Sequence, residues 1–125
     1  MQKDLLEDEY KFSILIPTWN NLDYLKLCIE SINKNSVYRH QILIHVNEGR
    51  DGTLAWIRQN EYEHTYSENN IGVCWALNGL RPLVKTNYIL YMNDDMYVCP
   101  GWDAALWNEI QPLPDNKFFF SSTLI

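Results

Sequence analysis

The chain has 125 residues, with 16 Asp and Glu against 10 Lys and Arg, for a formal charge of −6. So acidic a balance excludes nucleic acid as the main partner, because phosphate binding needs clustered Lys and Arg, and no apolar run reaches the roughly 18–20 residues of a membrane span. A hydrophobic share of 46% and a charged share of 21% suit one globular domain, and the acidic opening MQKDLLEDEY lacks the apolar core of a secretory signal. The expectation is a soluble, cytoplasmic domain over residues 1–125. Cys28, Cys74 and Cys99 are odd in number and lack CxxC spacing, so they read as free thiols in small buried apolar roles.

Apolar strand patterns alternate with helical ones. Phe12–Ile16 is a short apolar run that Pro17 is expected to stop. Asn20 or Asn21 can cap a helix in which Leu22, Leu25, Cys28, Ile29 and Ile32 share a face. Gln41–Val46 predicts a second strand. Asp51-Gly52-Thr53 opens a helix carrying Leu54, Trp56 and Ile57, and His64–Ser67 a short third strand. Asn70 is placed to cap a helix through Val73, Ala76, Leu77, Leu80 and Val84. Tyr88–Met92 is a buried strand, Pro100 the first residue of a helix through Leu106 and Ile110, and Lys117–Ile125 a final strand. The β-α-β-α-β-α-β-α-β order implies an α/β fold with an open, mostly parallel sheet and helices on both faces. Such sheets bind ligands outside the carboxyl ends of their strands.

Three polar sets follow three of these strands: Thr18-Trp19-Asn20, Asn47-Glu48-Gly49 and Asn93-Asp94-Asp95. A parallel sheet brings all three to one edge. Helix capping accounts for Asn20, Asp51 and Asn70. It accounts poorly for Asp94-Asp95, whose adjacent charges repel and are costly without a cation or donors. Mg²⁺ and Mn²⁺ are held by one or two carboxylates plus substrate phosphates, so Asp94 and Asp95 are the candidate metal–diphosphate site. Trp19 reads either as a corner-packing aromatic or as a face for a nucleobase. Glu48 reads either as an acceptor for base N–H groups or as a solvated carboxylate. His45, within an apolar strand, reads as a buried, neutral, hydrogen-bonded histidine. His40 and His64 read as surface residues. Cys99 is a poor ligand for a hard cation. Trp102 reads as a helix anchor or as the border of an acceptor sugar.

Four segments resemble, in order, those of the family 2 glycosyltransferases of the GT-A fold. They are SILIPTWN (from Ser13), NEGRDGT (from Asn47), NNIGVCWALNGL (from Asn69) and the DxD-like YMNDDMYVCPGW (from Tyr91). The resemblance covers about Phe12 to Trp102. It implies the GT-A variant of the Rossmann-like sheet, a nucleotide-sugar donor (a UDP-sugar first), and Mn²⁺ or Mg²⁺. By position, Pro17, Thr18 and Trp19 would line the nucleobase pocket, and Glu48 would face the base. Asn70, Gly72 and Asn78 would shape the region near ribose and diphosphate. Asp94 would approach the ribose or metal, and Asp95 would ligate the metal.

The departures from the pattern are Asn47-Glu48 for an Asp pair, Leu77 for a frequent Arg, and Asn93 for the first Asp of the triplet. The family's catalytic base belongs to a later, acceptor-binding half. Asp103 reads as a helix first-turn residue and Asp115 as a turn residue, so neither is assigned that role. The expectation is the donor half alone, truncated at an apolar strand whose exposed edge favours self-association as a homo-oligomer. The acceptor, a carbohydrate or a lipid-linked sugar, stays open, as does contact with a membrane periphery. The competing expectation is a non-catalytic nucleotide or nucleotide-sugar binding module on the same fold.

Overall fold

The computed structural model describes residues 9–115, 118, 119 and 121. Four parallel strands form one sheet in the order β3-β2-β1-β4: β1 (Ser13–Trp19), β2 (Gln41–Asn47), β3 (His64–Ser67) and β4 (Ile89–Tyr91). Between them run α1 (Leu22–Asn35), α2 (Thr53–Gln59) and α3 (Gly72–Leu80), and α4 (Trp102–Ile110) follows β4. β1 and β2 pair along their full lengths, from Ser13 with Gln41 to Trp19 with Asn47. Their middles, Ile14–Ile16 and Ile42–Ile44, are apolar because both faces are covered. Ile14, Ile16, Ile44 and Val46 meet Leu25, Cys28, Ile29, Ile32 and Ile57 on one face. Leu15 and Leu43 meet Leu80 on the other, with Leu77 and Leu83 packed alongside.

Pro17 does not stop β1, which runs on to Trp19. The odd residues of β1 face β4: Ser13 N–H donates to the Tyr88 carbonyl, and the Leu15 carbonyl accepts from Met92 N–H. The β4 pairing ends at Leu15 opposite Tyr91. Pro17 therefore faces a place where no ladder partner waits for an N–H, and the proline costs no sheet hydrogen bond.

Other boundaries also differ from expectation. α3 ends at Leu80, and Arg81–Leu83 form a 3₁₀ turn, which leaves Val84 outside the helix because Pro82 cannot continue it. α4 begins at Trp102 rather than Pro100, because Gly101 intervenes with a φ of +78°, in the left-handed region that favours glycine. Asn70 does not occupy the helix-capping position, which falls to Ile71, but its Oδ1 accepts the Gly72 N–H at 2.9 Å. The Lys117–Ile125 strand lies largely outside the described residues; Phe118, Phe119 and Ser121 are described and belong to no strand. Of the three cysteines only Cys28 is buried, and Cys74 and Cys99 are exposed.

The end of the sheet at the amino termini of the strands is closed by a cluster around His40, which the sequence pattern places on the surface. The His40 side chain is 1% exposed and stacks on Phe12 with ring centroids 5.2 Å apart. Its Nε2 lies 2.8 Å from Asp103 Oδ2, and Phe12 N–H donates to its Nδ1. Asp103 also accepts the Val37 and Tyr38 N–H groups, at 2.9 and 2.7 Å. Trp102 anchors the start of α4, its Nε1–H donating to Ser36 Oγ at 3.0 Å. Among the described residues no helix is long and apolar enough to cross a membrane.

Candidate functional site

The carboxyl ends of β1, β2 and β4 open into a cleft of about 430 Å³. Pro17, Thr18 and Trp19 line it from β1, Asn47 from β2, and Tyr91, Asn93, Asp94 and Asp95 from β4 and the turn after it. Asn70, Gly72 and Val73 add the wall from the start of α3, and Asn21 lies at the start of α1. Seven of the nine residues singled out from sequence therefore share one cavity: Pro17, Thr18, Trp19, Asn70, Gly72, Asp94 and Asp95. The other two do not line it. Asn78 is exposed, six residues past Gly72, where a rise of about 1.5 Å per residue carries it about 9 Å down α3. Glu48 is hydrogen-bonded to Trp19 and is not among the lining residues.

The site is built by cross-loop hydrogen bonds. Thr18 is 2% exposed at the end of β1, and its hydroxyl donates to Asp94 Oδ2 at 2.8 Å. That bond ties the end of β1 to the turn after β4 and orients one carboxylate. Asp95 is exposed and makes no side-chain hydrogen bond among the described residues. The first and second loops are laced together as well. Asn20 Oδ1 accepts from Arg50 N–H, and Asp51 Oδ2 accepts from Leu22 N–H at 3.0 Å. The caps expected from Asn20 or Asn21 are thus made by the neighbouring loop: Asp51 serves the first turn of α1 and, through Oδ1, the Thr53 N–H that opens α2. Burial raises the Asp51 carboxyl, and the Thr53 and Leu22 donors outweigh it, so the carboxyl sits below its ordinary 3.8.

Trp19 is 55% exposed, so it is not a packed corner residue. Its Nε1–H donates to Glu48 Oε2 at 2.8 Å, and Glu48 Oε1 lies 3.5 Å from Arg50 Nη1. Both carboxylate oxygens of Glu48 therefore have partners, one of them the indole. Glu48 adopts a φ of +62° and leads into Gly49, where an added Cβ would lie 2.6 Å from Val46 Cγ1. Glycine is required at position 49 because the turn folds back onto β2 there.

The donor set in the cleft is hard oxygen: Asn93, Asp94 and Asp95. Among the described residues there is no group of three or more His, Cys, Asp or Glu that would hold a metal unaided. Two carboxylates completed by substrate oxygens is the arrangement Mg²⁺ and Mn²⁺ accept, and Asp95 with its unbonded carboxylate fits that use. Cys28 lies beneath, its Sγ 3.7 Å from Met92 Sδ and from the Asn93 carbonyl. Burial, reinforced by the charge of Asp94 and then of Asp95, pushes its thiol up to about 11. It is a neutral packing group.

Five residues that line the cleft carry no ligand role in the sequence reading: Asn21, Asn47, Val73, Tyr91 and Asn93. Asn47 is 4% exposed and its Oδ1 accepts the Ile71 N–H at 2.9 Å. In sequence Asn47 stands only as a departure from the family pattern, and the fold reveals its bond. Tyr91 and Asn93 are joined by a 2.5 Å bond from the Tyr91 hydroxyl to Asn93 Oδ1. Tyr91 read simply as part of a buried strand, because nothing in the sequence says that β4 lies at an edge of the described sheet.

This architecture has known counterparts. The structure of S. aureus TarS 1-349 is similar, with a TM-score of 0.70 and 18% identity over 80% of this chain and 32% of that one. The same TarS segment in complex with UDP-GlcNAc gives a TM-score of 0.67 and 19% identity over 80% and 31%. The longer S. aureus TarS structure gives 0.60 and 18% over 79% and 19%. The chain thus spans a third or less of the TarS chains it resembles, and at these identities the likeness is one of fold. No curated protein matches the chain in sequence. The model of the family described as glycosyl transferase family 2 matches residues 13–119, from the start of β1 past the end of α4. With the parallel sheet, the strand-end cleft and that match together, the chain belongs to glycosyl transferase family 2.

Proposed function

We propose that the strand-end cleft binds a nucleotide-diphosphate sugar, a UDP-sugar in the first instance, together with a divalent cation, for glycosyl transfer to an acceptor hydroxyl. The observation that carries this reading is the convergence of Thr18, Trp19, Asn70, Gly72, Asp94 and Asp95 on one cleft. Trp19 offers an exposed ring face for base stacking, fixed in orientation by its bond to Glu48. Glu48 acts on the base through Trp19 more than by direct contact. Asp95, with Asp94 steadied by Thr18, holds Mn²⁺ or Mg²⁺. Bound there, the cation supplies Lewis-acid stabilisation of charge on the leaving diphosphate. The family membership and the TarS complex with UDP-GlcNAc support the choice of donor class.

A narrower reading is donor binding without transfer. Among the described residues Asp94 and Asp95 are the only carboxylates lining the cleft, and Asp103 is committed to His40 and three backbone N–H groups. Inverting transfer needs a base for the acceptor hydroxyl. On this reading residues 13–119 supply the donor-binding part, and the acceptor-binding half lies elsewhere.

Calorimetric titration of UDP into the chain, with and without Mn²⁺, tests the proposal. The expected result is Mn²⁺-dependent binding that falls more than about tenfold in Asp95→Ala, since even outer-shell partners of a metal site are worth that much. Equal binding by wild type and Asp95→Ala, or no binding of UDP, GDP or CMP by a folded chain, overturns it. A preference for GDP or CMP keeps the cleft and revises the donor. Turnover of UDP-GlcNAc in the presence of Mn²⁺ would remove the narrower reading.

A further inference from the structure

β2 carries a polar chain that donor binding does not directly use. His45 is 3% exposed within β2. Its Nδ1 lies 2.7 Å from Thr65 Oγ1 and its Nε2 3.0 Å from Ser67 Oγ, both on β3. Ser67 Oγ lies in turn 2.7 Å from the Asn69 carbonyl oxygen and 3.0 Å from Asn47 Oδ1. Asn47 Oδ1 also receives the Ile71 N–H. The chain therefore runs from the middle of β2 to the loop between β3 and α3, whose next residues line the cleft.

The proton positions follow from counting. The Ile71 N–H needs an acceptor, so Asn47 presents its oxygen to it. Ser67 then faces two acceptors, the Asn69 carbonyl and Asn47 Oδ1, and has a single hydroxyl proton for them. The ring nitrogen beside Ser67 must donate. His45 is thus a neutral imidazole with its proton on Nε2, and Nδ1 accepts the Thr65 hydroxyl proton. Burial holds the ring below its ordinary 6.5, in keeping with the neutral form. Removing the ring nitrogen would leave Ser67 free to turn, and the Asn69 carbonyl and Asn47 would lose a fixed donor together.

We infer that His45 is a positioning residue for the cleft: through Ser67 and Asn47 it holds residues 69–71 so that Asn70 and Gly72 form the wall facing the donor. The inference rests on the donor-binding reading for its ligand, and on the hydrogen-bond chain alone for its hold on the loop. His45 touches neither the cleft nor the metal-binding carboxylates. A mere filler of its place in β2 would affect global stability and leave the loop and the nucleotide affinity alone.

The test compares Ser67→Ala, His45→Phe and His45→Gln with wild type, using amide hydrogen exchange and the Mn²⁺–UDP titration. Gln offers an amide N–H near the reach of Nε2, whereas Phe keeps the bulk without a donor. Exchange at Ile71 and Gly72 should speed up about tenfold in Ser67→Ala and His45→Phe, with the Ile44 and Met92 amides unchanged, as for a local opening. UDP affinity should fall roughly fivefold to tenfold in the same two variants, the scale of one buried hydrogen bond, and recover in His45→Gln. Ser67 is half-buried at the end of the edge strand β3, so Ser67→Ala leaves the core strands intact and keeps the test alive should His45→Phe fail to fold. Unchanged exchange at Ile71 in Ser67→Ala overturns the hold on the loop. Faster exchange with unchanged affinity overturns its role in the cleft. A wild type that binds no UDP defeats the donor reading and the ligand role with it, whereas the exchange data still decide whether His45 holds the loop.

Discussion

Asp95 and Asp103 are eight residues apart on the chain and serve opposite ends of the sheet. Asp103 is fully buried, and its oxygens receive the Val37 and Tyr38 N–H groups and the His40 ring. Asp95 is exposed at the carboxyl end and makes no side-chain hydrogen bond among the described residues. The fold has used up the lone pairs of the first and left those of the second free. A carboxylate saturated by backbone donors locks a seam; one left open beside a second carboxylate is available to a cation. The two histidines of β2 and its approach show a milder form of the same contrast, His40 closing the amino-terminal end and His45 reaching toward the cleft.

The sharpest way to break this comparison is Asp103→Ala. It strands three backbone N–H groups, of Val37, Tyr38 and Ala104, and the His40 donor, and we expect a loss of about 3–5 kcal/mol in urea unfolding. A loss under about 1 kcal/mol would mean that the Asp103 seam is not what closes this end.

Acid should expose the same asymmetry. Burial lowers His40 below its ordinary 6.5 despite the opposing pull of Asp103, and burial lowers His45 likewise. A depressed histidine is stabilising while neutral in both states, so stability is full above pH 6.5 and falls as pH drops below it, when the unfolded chain takes up protons first. Burial raises Asp103, but its three donors outweigh it and hold the carboxyl below 3.8. A second decline therefore sets in as pH falls below 3.8. Unfolding free energy measured from pH 8 to pH 3 should show both, and His40→Gln should remove part of the upper one. A flat profile between pH 7 and 5 would contradict the neutral, buried reading of these rings.

Thr18→Val is expected to cost about 1–2 kcal/mol in stability, because it leaves Asp94 short of a buried donor. It should also weaken Mn²⁺-dependent UDP binding about tenfold, as an outer-shell partner of the metal site. Loss of stability without loss of binding would move Thr18 from the site to the scaffold. The smallest expected effect is the most diagnostic: Asp95→Ala should change stability by less than about 0.5 kcal/mol, as for an exposed residue with no side-chain partner among the described residues. If it destabilises as much as Asp103→Ala, the contrast between the two aspartates fails.

Much of this was legible beforehand. Alternation of apolar and helical patterns implied the parallel α/β sheet, since strands covered on both faces read as continuous apolar runs. The polar sets after β1, β2 and β4 do meet at one edge, because parallel strands point their carboxyl ends the same way. Pro17 misled because a proline's cost depends on whether a neighbour strand faces it, which no local pattern encodes. His40 misled because its partner Asp103 lies 63 residues away, and alone it looks like a surface residue; Asp103 itself does stand in the first turn of α4, as expected.

What the sequence determined by itself was the run of elements from β1 to α4 and the edge where chemistry could gather, because both follow from local periodicity and chain direction; the final strand expected over Lys117–Ile125 lies largely outside the described residues. What only the tertiary structure decided was which polar groups are already spoken for. Glu48 is held by Trp19 and Arg50, Asn47 by Ile71 and Ser67, and Asp103 by His40, while Asp95 is left open. Each of those bonds depends on a partner at least 20 residues away, or two for Arg50, meeting it within about 3.5 Å, and that proximity is a property of the packed fold.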